Sequence, residues 1–467
     1  MAGNIKAITQ DTFDCVVQEN INDFGMEDQE AVDDAIEQFT SQGIPLTMII
    51  KESQINGQHA VVRAVKDLEE YTINNTDKID DAYLEQLLTV LSKHFQKDLS
   101  FRYQASKLAS ADRIIIKTCQ ICKENPQHLL SCLETFSCLL DGQPDLIQNQ
   151  EIVFLLELLA ETHSAEIQAV ALKNLKLCCT KHEGNRVHFV KQGGIEKSLK
   201  TAEQHQEVEN VIKEVCGVLR CLALDDDVRV QFGKAHEHIK KVVNDHKGIE
   251  RLFELLKVHE EDAVLAKELC LTLSNLMVRN EFCQQFVDLG GLEVINRIFN
   301  FHLEKQVVIK SCITLLKAIS GNDEVKVAVV KAGIVDYLLK ALDEHASNAQ
   351  ICEACFAALT TLTLRNPSHC DVIMSKRAAP LMTQAMRNHQ DRPGVQKQAC
   401  MAIRNLVART RHHTTAFIEN GAENLIRQAS ENYKSVLEDE AKAALRDLDV
   451  KVDLKERWKG KNAGVTY

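Results

Sequence analysis

One phrase recurs along this chain. Apolar residues lead to a glycine or small residue, and an amphipathic helical pattern follows. It occurs as FVKQGGIEKSL (189–199), DHKGIERLFELL (245–256), FVDLGGLEVINRI (286–298), VVKAGIVDYLLKAL (329–342), IMSKRAAPLMTQAM (373–386) and FIENGAENLI (417–426). The markers Gly194, Gly248, Gly291, Gly333, Ala378 and Gly421 are spaced 54, 43, 42, 45 and 43 apart. Such a period constrains the fold more than any composition. Each copy is a small unit that cannot bury its apolar face alone, so it must stack on the next copy. Periods of about 40–47 with two or three helices per unit signify a helical solenoid. At the marker, glycine ends one helix because left-handed backbone costs it little. At Ala378 the nearby Pro380 can open the next helix instead.

A second phrase lies between the markers. It reads VCGVLRCLALDD (215–226), LCLTLSNLMVRN (269–280), SCITLLKAISGN (311–322) and ACMAIRNLVART (399–410). It returns a cysteine to one helical offset: Cys216, Cys270, Cys312 and Cys400. These phrases resemble the third helix of the armadillo repeat family, with its small pair, bulky residue, small residue and Leu-x-Asn-Leu. CLTLSNL (270–276), CMAIRNL (400–406) and AVALKNL (169–175) match that pattern. CGVLRCL (216–222), CITLLKA (312–318) and FAALTTL (356–362) keep its shape without the asparagine. The resemblance is clear over about residues 160–430. Weaker copies at 129–142 and 83–95 extend it towards residue 80, and the opening phrase at 8–43 is similar to one branch of the family. That branch carries an associational hint of haematopoietic progenitor differentiation.

The fold expected is all-α: an armadillo/HEAT-like right-handed superhelical solenoid with an N-terminal helical cap. The expected domains are an acidic cap over 1–78, repeats over 79–434 with an insertion at 225–248, and a C-terminal capping helix with a polar tail over 435–467. In the cap, Phe13, Val16, Val17, Ile21 and Phe24 follow helical spacing, as do Ala31, Val32, Ala35, Ile36 and Phe39. The cysteine position faces the neighbouring repeat, where alanine is usual. Cysteine is only slightly larger and among the most buried residue types, so it reads as a core spacer. Cys132 and Cys355 take the adjacent small position. Equivalent positions a whole repeat apart, roughly 10 Å, are too distant to share one ion. The CxxC of Cys119 and Cys122, even with Cys132 and Cys138, lacks a zinc-ribbon spacing.

The resemblance places function in a concave groove lined by third helices, where asparagines hydrogen-bond the backbone of an extended peptide. The equivalent positions are Asn174, Cys221, Asn275, Lys317, Thr361 and Asn405. The tryptophan ladder of an importin-α groove is missing, since the only Trp is Trp458 in the tail. Arg279, Arg365, Arg404 and Arg409 form a cationic stripe near the helix ends, suited to acidic or phosphorylated protein segments. In relatives, a His-x-His in the insertion resembles the target of a histidine methyltransferase. His236 and His238 match it, although Glu237 stands where a small residue is preferred.

The 467 residues carry a net charge of −12. Residues 1–40 hold ten Asp/Glu and one Lys. An acidic chain does not suit a dedicated nucleic-acid binder. No apolar run approaches a membrane span, and the N-terminus lacks a signal-peptide pattern. The 16 cysteines therefore read as free thiols in a reducing compartment, the cytosol or the nucleus. No Walker A, G-x-G-x-x-G, G-x-S-x-G or H-E-x-x-H motif occurs. The expectation is a monomeric, non-catalytic interaction scaffold with no cofactor and no metal. The alternative is an assembly or folding factor for client proteins.

Overall fold

The computed structural model describes residues 7–74, 81–160 and 163–452. Trp458 and most of the polar tail lie outside the described residues, as do 75–78 of the expected cap. Helices follow one another along the described chain, and the only extended pairing among the described residues is an isolated bridge between Ile55 and Gln58. The expectation of an all-α solenoid is met. No helix among the described residues is long and apolar enough to cross a membrane.

The chain divides into two compact units, Met1–Val242 and Val243–Tyr467. The first opens with a helical hairpin, Gln10–Phe24 and Asp28–Ser41. Its core gathers Phe13, Val17, Ala31, Val32, Ala35 and Phe39 with Leu46 and Ile49, and Val16, Ile21 and Ile36 pack at its margin. The helical period placed these residues correctly. Phe24 is the exception: it is 72% exposed, because it ends its helix just before Gly25 turns the chain at φ 70°. The hairpin is tied onward by polar contacts. Gln10 exchanges two hydrogen bonds with the Ile50 backbone (2.8 and 3.1 Å), and His59 meets the Asp14 carboxylate at 2.9 Å. Gln104 then donates to the Met48 carbonyl at 2.6 Å. Beyond the hairpin, helices Asp81–Lys97, Pro126–Leu140, Ala165–Cys179 and Glu209–Leu222 stack side by side in order.

The second unit repeats a three-helix plan. Its short first helices are Asn280–Asp288, Asp323–Lys331 and Pro367–Ser375. Its second helices are Gly248–Val258, Gly291–His302, Ile334–Glu344, Ala378–Asn388 and Ala422–Asn432. The third helices, Ala263–Leu276, Gln306–Ile319, Ala349–Thr363 and Pro393–Val407, stack in sequence, and Lys434–Asp447 packs on the last. Local chemistry sets where third helices begin. Asp262 caps the Val264 and Leu265 amides at 2.8 and 2.9 Å, Asn348 caps Gln350 and Ile351, and Pro393 occupies the first turn of its helix.

The marker glycines need a correction of one residue in four of the six copies. The left-handed residue is Gly193, Lys247, Gly290 and Arg377 there, and Gly333 and Gly421 in the other two. Gly194 and Gly291 serve a different need. A Cβ on Gly194 would sit 2.5 Å from the Phe189 ring, and one on Gly291 would strike Phe286. The first glycine of each pair turns the chain, and the second lets an aromatic ring close the corner.

A set of histidines fastens the corners between second and third helices. His302 Nε2–H donates to the Glu260 carbonyl (2.8 Å), His345 to Leu303 (2.6 Å) and His389 to Ala346 (2.9 Å). A carbonyl only accepts, so each ring must carry its proton on Nε2. Tyr433 completes the series with its hydroxyl on Gln390 O at 3.0 Å. All three rings are buried. The sequence reading missed this series, although the histidines are spaced 43 and 44 residues apart.

Candidate functional site

In the second unit, Asn275, Lys317, Thr361 and Asn405 take the same turn of four successive third helices, at spacings of 42, 44 and 44. Lys317 is exposed and the other three are half-buried. Asn275 and Lys317 have no side-chain partner among the described residues. Asn405 is partly committed, since its Nδ2 donates to the Thr360 carbonyl of the preceding third helix at 2.9 Å.

Asn174, in the first unit, does not belong with them. It is wholly buried. Its Nδ2 donates to Leu133 O at 3.0 Å, and its Oδ1 accepts the Ser137 hydroxyl at 2.7 Å. Both ends of the amide bind one neighbouring helix, Pro126–Leu140, so Asn174 is a fastener and not a groove residue. The spacing could not separate the two roles, because the same amide serves either once a carbonyl lies within reach.

The four arginines all lie in the second unit but differ in availability. Arg279 pairs with Glu281 at 2.7 Å, and Arg404 lies 3.4 Å from Asp447. Arg365 is exposed, in left-handed backbone at φ 63°, and its charge reaches Asp323. That carboxyl is held below its ordinary value chiefly by Lys326, with a smaller part from Arg365. Arg409 is exposed with no ion-pair partner among the described residues. The cations most open to a ligand are therefore Lys317, Arg365 and Arg409.

The insertion carries the His-x-His on a short helix, Ala235–Lys240. Two residues apart on a helix point to different sides. His236 is exposed, whereas His238 is buried and its Nδ1 has no hydrogen-bond partner. Burial lowers the His238 pKa, against a smaller opposing pull from Glu183. His236 is therefore accessible with the helix intact, whereas His238 is not.

Sequence reasoning missed what holds this insertion. Arg186, fully buried, donates Nε to Cys179 O (2.8 Å) and Nη1 to Leu224 O (2.6 Å), and pairs with Asp226. Asp227 accepts the Glu183 amide at 2.9 Å and pairs with Arg229, while Asp225 accepts the Ala235 amide at 3.3 Å. The run Asp225-Asp226-Asp227 thus acts as three separate anchors. A charged residue at an apolar position of a first helix, with an acidic run one repeat later, was the available signal. The pinned loop presents Val228 and Phe232 outward, 99% and 81% exposed.

The recurrent thiols Cys216, Cys270, Cys312 and Cys400 are all fully buried, as are Cys132 and Cys355. The repeat spacing does not keep all of the equivalent thiols apart, contrary to expectation. Cys312 lies in contact with Cys270, because side chains projecting from facing helices close the gap between their axes. Cys132 likewise touches both Cys119 and Cys122, whereas Cys138 stands apart beside Gln96. Burial pushes Cys400 up to about 12, and Cys283 and Cys352 to about 11. Such thiols stay protonated at neutral pH and are poor nucleophiles or ligands.

The family model described as ARMC6 matches residues 61–465, and the model of the armadillo repeat-containing protein 6 N-terminal domain matches residues 5–75. The chain belongs to the armadillo repeat-containing protein 6 family. Among relatives of that name, the Homo sapiens protein is 37% identical over 385 residues, covering 79% of this chain and 76% of its own length. The Drosophila melanogaster homolog is 34% identical over 371 residues, covering 78% of each. The fold of this armadillo family member is similar to that of an engineered protein, at TM-score 0.66 and 18% identity, covering 95% of this chain and 99% of the other. It is also similar to a chain from a structure concerned with a phosphorylation switch controlling the interaction between cadherin and beta-catenin. There the TM-score is 0.58 and the identity 14%, over 82% of this chain and 68% of that one.

Proposed function

We propose that this protein is a non-catalytic scaffold that binds extended segments of partner proteins along the third-helix face of its second unit. One observation carries the reading: Asn275, Lys317, Thr361 and Asn405 recur on the same turn of stacked helices, with Arg365 and Arg409 exposed beside them. An amide side chain matches both peptide groups of an extended backbone, so Asn275 supplies sequence-independent attachment. Guanidinium groups bind carboxylates or phosphates through charge-assisted hydrogen bonds, so the arginines select acidic or phosphorylated segments. The similarity to a chain from a structure on a phosphorylation-controlled cadherin–beta-catenin interaction agrees in kind with this reading. On the same reading the N-terminal hairpin closes the end of the first unit.

The test is proximity labelling with the full chain and with the triple charge reversal Arg279→Glu, Arg365→Glu and Arg409→Glu. A subset of partners rich in acidic or phosphorylated segments is expected to disappear. An unchanged partner list removes the cationic stripe from the reading. Recovery of many unfolded clients in place of a few stable partners would favour an assembly or folding factor.

A further inference from the structure

Away from the third-helix row, two elements of the second unit bring three metal-ligating side chains together. Asp371 lies on the helix Pro367–Ser375, and His412 and His413 form the end of a 3-10 turn, Arg411–His413. Both rings aim Nε2 at the same carboxylate oxygen: His412 is 3.0 Å and His413 2.7 Å from Asp371 Oδ1. All three ligand atoms lie within 4.8 Å of one another. No other trio of His, Cys, Asp or Glu among the described residues meets that condition.

We propose that Asp371, His412 and His413 form a binding site for a divalent transition-metal ion, with zinc the best fit. Two imidazoles and one carboxylate are a borderline donor set, suited to zinc and its first-row neighbours and poorly suited to magnesium or calcium. Tetrahedral zinc with bonds of about 2.0–2.2 Å sets its ligand atoms about 3.3 Å apart. The observed separations of 2.7 and 3.0 Å reach that value with an outward shift of a few tenths of an ångström. On binding, each neutral ring takes the tautomer with its single proton on Nδ1 and presents the Nε2 lone pair to the ion, which takes the place of the contact with Asp371.

The mounting is firm where it must be. The His413 amide donates to Thr410 O at 3.0 Å, and Thr410 is buried. Arg411, just before the pair, is bound to Asp449 Oδ1 at 2.9 Å and to the Asp447 carbonyl. The ring centroids of His412 and His413 are 4.0 Å apart, so the rings approach the carboxylate as a pair. His413 is mostly covered while His412 and Asp371 are open to solvent. Three protein ligands with an open outer side leave a coordination position for water or an incoming donor, and this separates the site from a closed structural zinc.

The experiment is zinc titration of the untagged, reduced, chelator-stripped full chain by calorimetry, paired with the absorption spectrum of the cobalt(II) adduct. Expected is uptake of one zinc per chain, and a cobalt spectrum without thiolate charge-transfer bands. The substitution His412→Gln, at an exposed ring, is expected to weaken binding at least tenfold with the far-UV circular dichroism melt unchanged. Asp371→Asn provides a second variant with the same expected loss. The proposal is overturned by the absence of saturable uptake, by affinity unchanged in both variants, or by thiolate bands placing the metal at the cysteines. In the first of those outcomes the trio is a hydrogen-bonded ion pair and nothing more.

Discussion

A residue in left-handed backbone and a residue in a tight space look alike when both are glycine. The Gly-Gly pairs of this chain split the two demands, and each copy that lacks one glycine meets that demand in its own way. Arg377 occupies the turning position at φ 60° with an exposed side chain. Left-handed backbone costs a residue with a Cβ about 1–2 kcal/mol, part of which glycine returns through its freer unfolded chain. Arg377→Gly is therefore expected to raise stability by about 0.5–1 kcal/mol in denaturant unfolding. The second position carries a Cβ at Ile334, Ala378 and Ala422, but not where an aromatic ring closes on it, as at Gly194 and Gly291. Gly194→Ala drives a methyl into the Phe189 ring at 2.5 Å, and is expected to cost about 1–3 kcal/mol as overpacking. Equal effects of the two substitutions would contradict the division of roles.

At the scale of the element, the histidines that end the second helices tie each repeat to the one before it. Each buried ring supplies a donor to a carbonyl of the preceding repeat. His345→Leu keeps an apolar body there but leaves the Leu303 carbonyl unpaired. The expected loss is about 1–3 kcal/mol, and urea unfolding measures it. A neutral result would mean that water reaches the carbonyl and that the corner is not sealed. This series also shows what could be read from the chain beforehand. The period, the helical fold and the burial of the thiols all follow from apolar spacing, which reports burial directly. Polar residues report only that a partner exists. Asn174, Asn405 and Asn275 share one position, yet the first is enclosed, the second half-committed and the third open. The difference lies in the distance to a neighbouring carbonyl, which no spacing records. Asp371 and His412 illustrate the same limit, since 41 residues separate them in sequence and 3.0 Å in space.

For the molecule as a whole, the uneven charge raises one question: whether the acidic N-terminal hairpin competes for the cationic face or closes the end of a stack. Residues 1–40 carry ten acidic side chains against one lysine. Acidity alone would favour competition. The contacts favour closure. The hairpin has its own apolar core, and the chain following it brings fully buried Ile50 and nearly buried His59 into register with Gln10 and Asp14. Lys97 and Gln104, on helices further along the first unit, bind Glu52 and the Met48 carbonyl in that same stretch. An end seal of this kind stabilises what it covers, because a terminal repeat otherwise leaves apolar surface in water. Deleting residues 1–41 is therefore expected to lower the melting temperature of the remaining chain. It is also expected to leave its affinity for an acidic or phosphorylated peptide within twofold of the intact protein, measured below the new melting transition. A deletion that tightened peptide binding several-fold while leaving the melt unchanged would reverse the assignment. The hairpin would then be a built-in competitor for the cationic face, with its ten carboxylates as the ligand.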